Sequence, residues 1–456
     1  MGCTRNRSKI WDRWLRAVTL VGFLLPPSPL WAAFASQFSL LVGEQYSDNI
    51  FFSKAKEHDF VSVITPTLSL FYAPPGQIAP TLNLNISSSG ELYARHSELN
   101  NFGDNINING GYIYQYSPRL NFFLSEALRR QGPTRLGGLG LGQFPTGPTS
   151  PPPVGGTPLP SEGIDDLISR GDQISNSFSL QGSFLYRPDI SFNAGYSNQI
   201  IKFLDAGGTD VSHTIRTRAV YNWQREHNLH AGYSLSIINS RNGESGVIHN
   251  FDVGDDYFTN YNLQLTPTLS LAASTGISLN TSGDGPRIAN NSTVTITKLW
   301  ETAELNGGLR KGLTPSFGVA GISDTTSLFT NFNLRLSERL SSNANARFSF
   351  FDTDDVNFKT FQAGLGMQYF FTSWLSSAIN YYFNWRDSGS GANTTDLLEK
   401  GVVKSNGVFL SVTMLFDLWP NTGLARGMSA TSLTPTIRPP FPTAPQSTSP
   451  FPQKIP

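Results

Sequence analysis

Between Ser177 and Ser240 the chain alternates apolar and polar residues with a period of two, in segments joined by short polar stretches. Ile190, Phe192, Ala194 and Tyr196 stand against Ser191, Asn193, Gly195 and Ser197. The next segment sets Val211, Ile215, Ala219, Tyr221 and Trp223 against Ser212, Thr214, Arg216, Arg218 and Asn222. After a turn, Leu229, Ala231, Tyr233, Leu235 and Ile237 oppose His230, Gly232, Ser234 and Ser236. Successive side chains of a strand point to opposite faces, so each segment is a strand with one oily and one wet face. A helix would repeat apolar residues at i, i+3 and i+4, and these segments do not. Each run holds its alternation for roughly ten residues, against about five or six in an average strand. That length crosses a bilayer at a tilt.

The pattern continues along most of the chain and predicts an all-β fold, a transmembrane antiparallel up-and-down β-barrel. Tight turns recur as an apolar residue, a polar-Pro-polar step and a restart: Tyr116 to Leu120 around Pro118, Tyr186 to Ile190 around Pro188, Leu265 to Leu269 around Pro267. Proline fixes φ and cannot donate to a ladder, which places it at connections. Longer, wetter stretches at 205–210, 241–250, 282–290, 352–355 and 388–400 alternate with them. Short turns on one side and long loops on the other are the asymmetry of outer-membrane barrels. Strands are expected at 36–46, 59–72, 81–95, 105–117, 119–129, 173–186, 190–202, 211–224, 228–240 and 253–265. The rest fall at 268–280, 291–300, 302–312, 323–336, 340–351, 357–371, 374–386 and 403–417, about eighteen in all. Ile64 to Leu68 around Pro66 has the form of a turn as well, which leaves sixteen open.

The two ends read differently. Arg5, Arg7, Lys9, Arg13 and Arg16 precede an apolar run from Ala17 to Leu25, stopped by Pro26, Pro27 and Pro29. Ala33-Phe34-Ala35 then offers a small-residue cleavage site, so 1–35 is expected to be a secretory signal peptide, with a cut after Ala33 as the alternative. Residues 36–420 form the barrel. The stretch 130–172, packed with Gly and Pro, is one long loop, either floppy and external or folded inward to constrict a pore, with Glu162, Asp165 and Asp166 near its end. Residues 421–456, rich in Pro, Thr and Ser, are expected to be a disordered periplasmic tail.

Charge narrows the partners. Removing residues 1–35 from 33 basic and 33 acidic residues leaves 28 and 32, a net charge of −4, and also removes Cys3, the single cysteine. That balance argues against nucleic acid, and a mature chain without cysteine excludes disulfides and thiol chemistry. No nucleophile-elbow, zinc-protease, phosphate-loop or dinucleotide motif is present, so no enzyme, catalytic residue, cofactor or metal is expected. His227 and His230 read as a polar turn pair, because a metal site needs three or four converging ligands. Asp252, Asp255 and Asp256, like Asp352, Asp354 and Asp355, read as carboxylates in or beside external loops. Tyr112, Tyr114, Tyr116, Tyr221, Trp223, Phe371, Tyr381, Phe383 and Trp385 read as an interfacial girdle. Phe351, Phe370 and Tyr382 are inward aromatics on which a saccharide could stack.

The opening stretch Glu44 to Phe51, with Asp59-Phe60-Val61 and Thr65-Pro66-Thr67-Leu68, resembles a family of uncharacterised outer-membrane β-barrel porins. Some of these are associated with exopolysaccharide export and surface-protein sorting of the PEP-CTERM type. The resemblance implies fold and membrane, and carries no catalytic residue. Asp48 and Asn49 are expected to form a turn through side-chain bonds to backbone. The closing run Val408, Leu410, Val412, Met414 and Phe416 resembles the signal read by the bacterial barrel-assembly machinery.

The expected function is a channel in the bacterial outer membrane, passing small hydrophilic solutes or an exported saccharide. The alternatives are a non-conducting barrel that anchors or displays its loops, and a soluble secreted β-protein. Its partners would be the lipid bilayer, lipopolysaccharide, the assembly machinery and a small anionic solute or polysaccharide. Arg216, Arg218, Arg310, Arg335, Arg347 and Arg386 fall on wet faces, with Glu304 as the accompanying acid, and are expected to line the pore. Arginine stays charged at accessible pH and offers a planar fork to carboxylates and phosphates.

Overall fold

In the computed structural model, the described residues are 34–72, 82–131, 172–204, 207–224, 227–240, 245–258, 269–281, 287–316, 321–352, 357–389 and 401–418. Residues 1–33 with most of the expected signal peptide, residues 132–171 with Glu162, Asp165 and Asp166, the expected turn at Pro267 and residues 419–456 lie outside them. Eighteen strands follow one another in chain order. They are β1 (Phe34–Ser47), β2 (Asp59–Tyr72), β3 (Leu82–Tyr93), β4 (Asn101–Ser117), β5 (Leu120–Gln131), β6 (Gln173–Arg187), β7 (Ile190–Phe203), β8 (Thr209–Gln224) and β9 (His227–Asn239). After them come β10 (Ser245–Phe258), β11 (Leu269–Asn280), β12 (Arg287–Leu299), β13 (Ala303–Ser316), β14 (Gly321–Arg335), β15 (Leu340–Asp352), β16 (Asn357–Phe370), β17 (Leu375–Ser388) and β18 (Gly401–Asp417).

Each strand pairs antiparallel with its neighbours in sequence. β1 pairs with β2 on one side and with β18 on the other, from Gln37 opposite Asp417 to Ser47 opposite Gly407. The sheet is therefore closed, and no edge is left to aggregate.

The two faces separate as the alternation requires. On β8, His213, Ile215, Thr217, Ala219, Tyr221 and Trp223 are exposed outward, while Ser212, Thr214, Arg216 and Arg218 turn into the barrel. From Trp223 at the short-turn end to His213 is ten residue steps along β8. At about 3.3 Å per residue and a tilt of about 40° they span about 25 Å, the height of an apolar band. Tyr116, Tyr186, Trp223, Trp300, Phe371, Trp374 and Phe416 ring its short-turn edge, all exposed. A water-soluble sandwich would bury such residues, so this surface faces lipid.

Pro66 lies inside β2, opposite Leu40 of β1, so the count is eighteen. Its missing N–H falls on the β3 side, where backbone pairing skips Thr65 and Pro66. The Thr65 and Ser89 hydroxyls bridge that gap at 2.9 Å. β10 departs from expectation: it starts at Ser245, because Val247, His249, Phe251 and Val253 already alternate outward. Phe34 and Ala35 are the first residues of β1, and Phe34 packs on Tyr72 with ring centroids 5.2 Å apart. A cut after Ala35 would shorten that strand by two residues.

The interior is shaped by inward glycines. A Cβ on Gly407 would sit 1.9 Å from the Tyr382 ring, so the ring lies flat on the wall there. On β11, opposite Asp252 of β10, a Cβ on Gly276 would meet the Phe251 carbonyl oxygen at 1.7 Å. Only glycine permits that approach.

Candidate functional site

Two regions of the interior carry chemistry. The first is a band of charge near mid-height. Arg216 and Arg218 enter it from β8, Arg310 from β13 and Arg347 from β15, all inward by register. Asp252 and Asp256 enter from β10, opposite Gly232 and Asn228 of β9. This corrects the expectation that these two carboxylates lie beside an external loop. With β10 starting at Ser245, both fall on its inward face.

Arg218 donates from Nη2 to Asp256 Oδ2 at 3.3 Å. His230, almost wholly buried, lies between Asp252 at 3.9 Å and Asp256 at 3.8 Å. Arg216 has no hydrogen-bond or ion-pair partner among the described residues, and Arg310 and Asp252 are the charges that act on it. The arrangement holds one paired guanidinium, Arg218, beside Arg216, which has no such partner among the described residues. Glu304 turns inward nearer the short-turn edge, opposite Leu299. Arg335 lies exposed at the last position of β14, at the same edge. The acid complement of the interior is thus larger than Glu304 alone.

The second region is the mouth at the long-loop end. The connection 48–58 folds into the barrel. Ile50 packs with Val61, Val63, Tyr93 and Phe409, all inward side chains of β2, β3 and β18. Phe52, with the left-handed φ of 46°, lays its ring 5.2 Å from the Arg386 guanidinium carbon. Arg386 is 0 % exposed, which removes it from the pore lining expected for it: the loop covers it.

Asp48 and Asn49 hold the loop in place, as turn residues do. Asn49 Nδ2 donates to Ser53 O at 2.7 Å and to Lys404 O at 2.9 Å, while its Oδ1 accepts from Ser53 N. Asp48 accepts from the Asn406 backbone N–H at 2.6 Å and from Lys56 at 3.1 Å. Burial alone would raise the Asp48 pKa, but the Asn406 and Lys56 contacts outweigh it and hold the carboxyl below the usual range. Across the mouth, His96 bonds Asp59 at 2.9 Å through Nδ1 and Glu57 at 2.8 Å through Nε2. The Phe51 ring meets the His96 ring edge-on at 5.5 Å. The Asp59 hydrogen bond first, then that of Glu57, raises the His96 pKa.

The loop is the element that the sequence pattern missed. Its signal was the run Ile50-Phe51-Phe52 inside an otherwise polar connection.

His227 and His230 lie on opposite faces of β9. His227 turns outward and bonds Asp255 at 2.6 Å, so the two share no site. Among the described residues no cluster of three or more His, Cys, Asp or Glu side chains suits a metal ion. Of the inward aromatics, Phe351 stacks on Phe358 at 4.5 Å and Tyr382 is buried, its hydroxyl accepting from Gln45 Nε2 at 2.5 Å. Neither offers an open ring face to a saccharide. Phe370 is half-buried at the short-turn edge.

Closed, wet within and apolar without, the chain is an eighteen-stranded transmembrane β-barrel. No protein-family model and no curated protein matches it. Solved structures similar to it include OccAB3 of Acinetobacter baumannii, at 8% identity and a TM-score of 0.42, over 84% of this chain and 99% of that one. The outer membrane protein OpdK of Pseudomonas aeruginosa gives 12% identity and 0.42, over 84% and 98%. OpdL of the same organism gives 11% and 0.44, over 85% and 99%.

Proposed function

We propose that this chain is an outer-membrane channel for the passive passage of small hydrophilic solutes, with a preference for anions set at mid-height. The observation that carries the reading is Arg216, a lumen-facing guanidinium without a partner among the described residues. Arg310 and Arg347 face the same interior, and Asp256 is committed to Arg218. A low-dielectric passage lined by an excess of one sign concentrates counter-ions. A guanidinium fork suits carboxylate and phosphate groups, including acidic saccharides. Solute identity, export of polysaccharide and a constricting role for Glu162, Asp165 and Asp166 all extend this same proposal.

Swelling of proteoliposomes tests it. A small carboxylate should enter faster than a neutral sugar of equal size, and Arg216→Ser should remove most of that advantage while leaving sugar entry unchanged. Equal entry of both solutes into wild-type vesicles would contradict it. One observation favours a second reading, a barrel that anchors its loops without conducting: the connection 48–58 packs into the mouth. Wild-type vesicles that admit neither solute would support that reading.

A further inference from the structure

The outer wall is recessed where β2, β3 and β4 meet below the long-loop end, and three irregularities make the recess. Pro66 interrupts the β2–β3 ladder, whose pairing skips from Ile64 with Gly90 to Thr67 with Ser87. Across β3 the register shifts as well: Ser89 pairs with Asn105 and Gly90 with Phe102, so β4 carries two extra residues, 103 and 104. Gly103 takes a left-handed φ of 80° there, and a bulge of this kind re-aims the side chains beside it. The result is a groove of about 210 Å³, lined by Ile64, Pro66, Ser88, Gly90, Leu92 and Phe102 among others. Gly90 opens its middle. A Cβ at that position would sit 3.4 Å from Phe102 Cδ1 and 3.9 Å from Ile64 O. The Phe102 ring stands 70 % exposed beside it.

The groove opens toward lipid, because its β2 and β3 residues share the outward parity of the exposed Phe60 and Ile86. Ser62 at its upper edge lies ten residue steps above Tyr72, the short-turn end of β2, and Leu92 lies ten above Leu82 on β3. Ten steps are the height of the apolar band on β8, about 25 Å. Pro66 and Ser88 are six steps up, at about 15 Å by the same rise. The groove therefore fills the upper part of the band and ends at its top. Above it Tyr46 and Phe60, both exposed, pair with ring centroids 5.0 Å apart, as aromatics do at a membrane interface. Beyond them stand the exposed His58 and Arg95. At the same edge Ser62 Oγ donates to Glu44 Oε1 at 2.6 Å, which commits that hydroxyl.

We propose that this groove holds one acyl chain of an outer-leaflet lipid, entering beside Tyr46 and Phe60 and running down past Gly90 to Pro66. The site rests on the reading of the barrel as a membrane protein with its long loops outside. The lining is almost wholly apolar, with no charged side chain among the described residues, so water finds too few partners to stay. Left empty, the lining would lose its dispersion contacts on one side. A methylene chain is thin and flexible enough to lie behind Phe102. The convex wall of a second barrel would meet Phe102 and Ile64 before reaching Gly90.

Photolabelling of the full chain tests the site, in phosphatidylcholine vesicles with a trace of the same lipid carrying a diazirine in the upper half of one acyl chain. Mass spectrometry of peptides maps the adducts. In the wild type, adducts on β2–β4 should exceed several-fold those on the ungrooved wall at Leu328 and Phe348, which stand opposite each other on β14 and β15. Gly90→Leu puts a side chain into the groove, and its Cβ makes only ordinary contacts. Heat-modifiable migration should therefore persist in that variant while labelling of β2–β4 falls to the level of the wall, and Gly90→Ala should lower it part of the way. Even labelling around the wild-type wall would overturn the site, as would a Gly90→Leu chain labelled like the wild type. A groove shielded from label in chains that cross-link as dimers would assign it to a second copy and overturn the proposal too. A chain that stays out of the vesicles, unlabelled throughout, would contradict the membrane reading itself.

Discussion

Position 234 and position 235 differ by one residue and face two solvents. Ser234 turns inward and accepts from Asn250 Nδ2 at 3.2 Å, whereas Leu235 belongs to the outward set with Tyr233 and Ile237. An arginine on the lipid face near the midplane costs about 2–4 kcal/mol, and much less where the lumen is wet. Leu235→Arg should therefore depress assembly into vesicles, and Ser234→Arg should assemble as the wild type does. Equal yields of heat-modifiable barrel from the two variants would show the register to be wrong. Face assignment of this kind was legible in the sequence, because a period of two leaves each residue only two choices. What a side chain meets across the lumen was not. Arg216 and Arg218 read alike in sequence, yet only Arg218 finds a carboxylate, since Asp256 arrives from a strand 38 positions away.

At the scale of elements, strand count and order followed from the alternation, and the ladder through Pro66 settled eighteen. Two elements escaped it. β10 carries His249, Asn250, Asp252, Asp255 and Asp256 among its apolar residues, a polarity that hides a strand when both faces carry charge. The connection 48–58 has no period to read, because its burial is decided by the cavity it enters. Asn49 makes three side-chain hydrogen bonds there, two of them to Ser53 and one to Lys404. At about 1 kcal/mol each, Asn49→Ala should loosen the loop by up to about 3 kcal/mol and speed tryptic cleavage at Lys54 and Lys56. Unchanged cleavage would mean that Asn49 does not hold it.

The His96 latch adds a pH dependence to the same loop. Asp59 of β2 and Glu57 of the loop face its imidazole, Phe51 meets its ring, and Arg95 beside it contacts His58. A raised His96 pKa means the protonated ring favours the closed mouth. That contribution is complete below the ordinary imidazole value near 6.5 and is lost as pH rises through the higher value of the folded state. Cleavage at Lys54 and Lys56 should therefore accelerate between neutral and mildly alkaline pH in the wild type. In His96→Ala it should be fast at every pH, and a flat wild-type profile would remove the latch.

For the whole molecule, closure is the decisive property. The last backbone pairs of the β1–β18 seam end at Asp417, and Leu418 N–H still reaches Ser36 O at 3.0 Å. Among the described residues the seam is complete at Leu418. Truncation after Asn421 should leave a heat-modifiable, membrane-inserted barrel, and failure of the shortened chain to insert would make the tail part of the fold.

A closed barrel with a wet interior and an uncommitted Arg216 should conduct, and should conduct anions better than cations. The most direct measurement is the single-channel reversal potential in a planar bilayer under a salt gradient. Discrete conductance steps with a reversal potential displaced toward the anion equilibrium value are expected, weakened in Arg216→Ser. A bilayer that stays silent, or a wild-type channel that prefers cations, would contradict the account.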